Sequence, residues 1–393
     1  MVNPTPQTLS QRWHVFTQAE PAARRELFAQ TIDDGLMTPT MAAQMAARLH
    51  QDTAVADDRP AFNQIMARLH AELPAVYEDA GPAVIQWPLL NALLANNEDA
   101  IAVHALLLAK TATRHLDAFI NALDMLAYHG ETAVLRKTLR QAWPALQNVD
   151  ASKRQLISAL AARATDEVIY DWLAQGNDPA DPALAEKLAH YFPIDAEGLA
   201  RYTAVLTGQV RQQWSPTDFI VDRTTEDEPG TNSRQAAANL GALLIEFVSV
   251  LHHDHGSSYS RAALIRSLLP TYFSARRTGQ LNPREDIASM MQGKRPFPKI
   301  SRDEPAHPLC PDEHTLERYL AQLLHQAKPR PYRAAVLYES LPAWLDFLMA
   351  GELITAVDKQ RATTALRELR PAMVRYWQAY ASDPTLLANL PAI

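Results

Sequence analysis

"RQAAANLGALLIEFVSVLHH", residues Arg234 to His253, repeats its large apolar side chains at intervals of three and four: Leu240, Leu243, Leu244, Phe247, Val248 and Leu251. At 3.6 residues per turn these positions share one face of a helix, whereas a half-buried strand would need intervals of two. The stretch therefore predicts an amphipathic α-helix. Its apolar part, "NLGALLIEFVSVL", reads as too short to cross a bilayer.

The same spacing recurs on the N-terminal side. "RHLDAFINALDMLAYHG" (Arg114 to Gly130) carries Leu116, Phe119, Leu123 and Leu126 in helical phase, and Gly130 is placed to cap the helix. No run of strand-type alternation stands out. The chain has 12 glycines against 27 prolines, and sheet proteins spend glycine on turns and bulges. Many prolines open apolar segments, as in "AEPAARRELF", "DRPAFNQIM" and "DPALAEKL". Proline suits a first helical turn, where its missing amide would have had no partner. Together these features predict an all-α fold.

Three stretches share a design: "LLNALLANNEDAIAVHALLLAK" from Leu89, "INALDMLAYHGETAVLRKTLRQAW" from Ile120 and "ISALAARATDEVIYDWLAQG" from Ile157. Each reads as a helix end, a polar turn with an acidic residue, and a second helix. Glu98, Glu131 and Asp166 mark the turns at about the 30-to-45-residue spacing of helical-hairpin repeats. Acidic residues favour the first turn of a helix, at the positive end of its dipole. On these residues the chain from about 58 to 212 resembles an α-solenoid of the tetratricopeptide or HEAT kind. The resemblance implies a concave helical surface that binds a protein or peptide.

Two segments interrupt the helical pattern. Ser215 to Arg234 is acidic and turn-rich, and it reads as a linker. Leu281 to Glu313 carries six prolines and reads as a long loop. The expected organisation is a helical-repeat region over 1–221 and a C-terminal helical region over 222–393 that includes the loop 281–313.

The totals exclude several classes. A net charge of −7 spread over 393 residues gives no basis for a nucleic-acid partner. A single cysteine, Cys310, rules out an internal disulfide framework and suits a reducing compartment. The first residues show no basic segment followed by an apolar one, so a cytoplasmic location without membrane partners is expected. No glycine-rich phosphate loop, nucleophile elbow or dinucleotide fingerprint appears.

The most chemical stretch is "LHHDHGSS", Leu251 to Ser258. Continued as helix, it turns His252 and His255 inward and His253 and Asp254 outward. Imidazoles three apart can share a metal, and His307 and Cys310 downstream would complete a tetrahedral zinc set. "HDHG", His253 to Gly256, is also similar to the His-Asp-x-Gly core of the HD-domain phosphohydrolases. That resemblance implies that His253 and Asp254 ligate a divalent metal that activates water, with His190 and Asp286 as candidates for the remaining ligands. The simpler reading ends the helix here. Gly256 takes the left-handed cap, the histidines meet the negative end of the dipole, and Ser257 or Ser258 starts the next helix. A basic concentration follows: Arg261, Arg266, Arg276 and Arg277, then Lys294 and Arg295 in "GKRPFPK". Of these, Arg261, Arg276, Arg277, Lys294 and Arg295 could bind phosphates or an acidic partner. Trp344 and "RYWQAY" (Arg375 to Tyr380) read as helix-interface aromatics. The expected function is a helical interaction or scaffold protein with a protein or peptide partner and no cofactor. The alternative is a metal-dependent hydrolase centred on His252 to His255.

Overall fold

The computed structural model describes residues 9–56, 58–191, 195–220, 231–281, 307–324, 329–380 and 382–393. Among them are eighteen α-helices and no strand, and these residues are 77% helical. In chain order the helices are α1 (Leu9–Gln18), α2 (Pro21–Asp33), α3 (Pro39–Val55), α4 (Arg59–Glu72), α5 (Pro74–Ala80), α6 (Pro82–Leu94), α7 (Glu98–Thr111), α8 (Leu116–Tyr128) and α9 (Thr132–Leu146). Then come α10 (Arg154–Ala174), α11 (Pro182–Leu188), α12 (Ala196–Leu206), α13 (Thr231–His253), α14 (Tyr259–Arg277), α15 (Glu313–Leu323), α16 (Pro331–Ala350), α17 (Ala356–Tyr380) and α18 (Thr385–Ala388). The all-α expectation holds. A proline occupies the first or second position of α2, α3, α4, α5, α6 and α16, the placement that its fixed φ favours.

Two compact units divide the chain. The first comprises residues 1–175, 183–193 and 379–385; the second comprises 176–182, 194–378 and 386–393. The expected division at residue 222 lies outside the described residues.

In the first unit helices pack on their near neighbours in sequence: α2 on α3, α3 on α5 and α6, α6 on α7 and α8, and α7 and α8 on α9. Phe28, Leu49, Phe62, Leu108, Phe119, Leu126 and Leu135 are fully buried between them. The repeat design is realised twice. Asn97 caps α7 by accepting the Ala100 amide, with Glu98 as the first helical residue, and Gly130 (φ 79) and Glu131 separate α8 from α9. The third instance differs. Asp166 lies inside α10, which runs unbroken from Arg154 to Ala174. "LAARATDEVIY" contains neither glycine nor proline, so nothing stops the helix at the acidic pair. Residues 379–385 join this unit through Asp383, whose carboxylate lies 2.7 Å from His129 Nε2.

In the second unit α13 packs against α12, α14 and α16, with Leu243, Leu244, Phe247 and Val248 fully buried, as the opening stripe predicts. Among the described residues, Arg234–His253 is the one helix long and apolar enough to cross a bilayer, which its apolar core alone did not reach. Half of it is buried inside the unit, where its stripe already has protein partners. Trp344 stands edge-on to Phe247, and Trp377 is buried, as expected of interface aromatics. The expected linker differs at its start. Ser215 caps a 3-10 turn over Pro216–Phe219 through a reciprocal capping box with Asp218, and Phe219 is buried against α13.

Candidate functional site

The histidine cluster closes α13. That helix ends at His253, and Gly256 takes φ 65, a conformation costly for side chains other than glycine. His252 stacks on the Tyr259 ring at 3.6 Å and its Nδ1 is 2.8 Å from the Ser257 carbonyl oxygen. Nε2 of His253 lies 3.2 Å from the Tyr259 hydroxyl, and Ser258 caps α14 by accepting the Arg261 amide. His255 is exposed rather than inward, because the backbone leaves helical phase before reaching it.

His307 and Cys310 sit at the other end of α14, where Arg276 holds their carbonyl oxygens. Seventeen residues of helix separate Tyr259 from Arg276, about 25 Å at 1.5 Å per residue. The zinc set His252, His255, His307 and Cys310 is therefore not brought together. Among the described residues no three His, Cys, Asp or Glu side chains converge as ligands for a metal. Asp286, the downstream candidate for the phosphohydrolase pattern, lies outside the described residues.

The basic candidates divide similarly. Arg261 donates to Glu339 at 2.6 Å, an intramolecular ion pair. Arg276 donates to the carbonyls of Cys310, Pro308 (2.8 Å) and His307 (3.1 Å), and its guanidinium lies over the Phe273 ring. Both guanidiniums are committed within the fold, and Arg277 is exposed at the last residue of α14. Lys294 and Arg295 lie outside the described residues.

That clamp turns the end of the expected loop into a wall. The Trp344 indole donates to the Leu309 carbonyl at 2.9 Å, and the Asp312 amide donates to the Tyr272 hydroxyl at 3.2 Å. Asp312 then caps α15 by accepting the Thr315 amide. Leu309, Cys310 and Pro311 are buried as a result.

Between this wall and α17 runs a groove of about 620 Å³. His307, Cys310, Pro311, Asp312 and Glu313 line one side. Ala356, Val357, Asp358, Gln360, Arg361, Ala362, Thr364, Ala365 and Glu368 line the other. Positions 357, 361, 364, 365 and 368 follow the spacing of a single helix face. Ala362 and Ala365 are buried, while Val357 at the rim is 66% exposed, the most exposed large apolar side chain among the described residues.

Burial and local hydrogen bonds set the protonation of the groove's titratable groups. Burial pushes the Cys310 thiol up to about 12, so it stays protonated and a poor nucleophile. Burial also lowers the His307 imidazole below its ordinary value, keeping it neutral. A hydrogen bond from the Thr355 hydroxyl holds the Asp358 carboxyl below the usual carboxylate range. Glu313 is raised, first by partial burial and then by its hydrogen bond and charge contact with Glu368 on the opposite wall.

Sequence reasoning missed the α17 face and the Glu313–Glu368 pair. The "TAVD" start of α17 was a readable signal, since Thr355 and Asp358 form a capping box there. Which face of that helix stays uncovered was not encoded locally. No family model, curated protein or solved structure matches the chain.

Proposed function

We propose that the chain is a cytoplasmic helical interaction protein whose C-terminal unit seats a peptide segment of a protein partner in the groove beside α17. The observation that carries this reading is the combination of an immobilised wall with a groove beside it, floored by Ala362 and Ala365 and edged by exposed Val357. Grooves between helices are common ligand and peptide sites, and an open volume of this size accommodates several side chains. The near-neighbour helix packing of the first unit supports a solenoid-like arrangement there, with the same kind of role. The hydrolase alternative has weaker support, because His252 and His253 are engaged with Ser257 and Tyr259 at a helix end.

A peptide display library selected on the wild-type protein tests the reading. The expected binders compete with one another and lose affinity for Val357→Asp, a substitution at an exposed position that leaves the core untouched. Binders indifferent to Val357→Asp would remove the groove from the function.

A further inference from the structure

We infer that the occupant of the groove is a basic amphipathic helix, with apolar residues on its inner face and a lysine or arginine set against the Glu313–Glu368 pair. This inference rests on the interaction reading above and adds the chemistry of the partner.

Shape gives the helix. The lining stretch of α17, residues 356 to 368, extends about 18 Å at 1.5 Å per residue. Its spacing of four, three, one and three is the side-chain stripe against which a second helix packs. Alanines at 362 and 365 allow close approach, and Val357 supplies the knob at the end. A compact small molecule would cover only part of so long a face.

Charge gives the sign. Four carboxylates, those of Asp312, Glu313, Asp358 and Glu368, line the groove against one guanidinium, Arg361. Asp312 is 3.7 Å from Arg276, and Asp358 is bound to Thr355, so both are provided for. Glu313 and Glu368 instead meet from opposite walls in a hydrogen bond to each other, with no Lys or Arg ion pair among the described residues. Two carboxyl groups held together repel unless they share a proton or a cation. A guest ammonium or guanidinium beside the pair takes the place of the shared proton, lets both carboxylates ionise, and fixes the register of the guest.

Fluorescence anisotropy with three synthetic helical peptides tests the inference on the full-length protein. The peptides share the same leucine stripe and carry lysine, glutamine or glutamate at the flanking positions. The lysine peptide should bind about tenfold tighter than the glutamine peptide at low salt and lose that advantage as salt rises. In Glu313→Gln/Glu368→Gln, checked for an unchanged melting curve, the two should bind within about threefold of each other. Equal binding of lysine and glutamine peptides, both lost in Val357→Asp, would overturn the inference and leave the interaction reading standing. Absence of binding by all three would overturn both. An advantage for lysine that survives the double substitution would place the cation elsewhere and overturn the inference. Peptide binding seen only after deletion of residues 282–306 would make the chain its own occupant. A dimer dissociated by Val357→Asp would make it a second copy. Either result also overturns the inference.

Discussion

His50 is fully buried on α3, its Nε2 3.0 Å from Asn91 Oδ1 and its ring stacked on Trp87. Burial, only partly offset by the Asn91 hydrogen bond, lowers its pKa to about 4. The unfolded chain binds a proton at this histidine near pH 6.5, whereas the folded chain does not until near pH 4. The unfolded state therefore holds more protons across that window, and stability is lost as pH falls through it. The loss comes to about 3 kcal/mol. Urea unfolding followed by tryptophan fluorescence should show wild type losing about that much more than His50→Gln between neutral pH and pH 4. Parallel pH profiles would mean that the imidazole is not held neutral. Arg276 poses a different residue-scale question, because one guanidinium serves three carbonyls that a lysine ammonium could not span. Arg276→Ala should cost about 2 to 4 kcal/mol and speed labelling of Cys310 by a thiol reagent in native buffer. A mutant with the slow labelling of wild type would show that the wall stands without the clamp.

At the scale of the element, the end of α13 illustrates how a chemical-looking motif can be consumed by helix termination. The stacking of His252 on Tyr259 and the left-handed Gly256 bring the chain round to the Ser258 cap of α14. Replacing His253 and Asp254 with alanine should lower stability by only about 0.3 to 1 kcal/mol each. Gly256→Ala should cost about 1 kcal/mol from its positive φ. The melting temperature of wild type should not respond to a chelator, since an ion held only by the folded state would stabilise it by mass action. A chelator-induced drop that disappears in the His253→Ala/Asp254→Ala protein would restore the metal reading. The third repeat stretch shows the converse. Its acidic pair suggested a turn, but an acidic residue marks a helix start only where a glycine, proline or cap residue also breaks the preceding helix.

Over the whole molecule, helix class was written along the chain because it rests on local quantities: the three-and-four spacing of α13 and α8, proline at helix starts, and glycine after helix ends. The fate of the "LHHDHG" stretch was half legible, since the glycine and serines of a helix end are sequence-local, while the Tyr259 ring that engages both histidines meets them only in the fold. His307 and Cys310 were singled out from the sequence for metal chemistry, yet tertiary structure gives them a wall of the groove, clamped by Arg276 from a helix that ends thirty residues before them. Glu313 and Glu368 were invisible as a pair, being 55 positions apart, and nothing near either residue signals the other. Helix class, and the limits of α8 and α13, follow from the sequence alone, because backbone hydrogen bonding and amphipathic periodicity are settled within a few turns. Which helix face lines the groove and which charges meet across it emerge with the packing, because a face is open or closed according to what lies against it from distant parts of the chain.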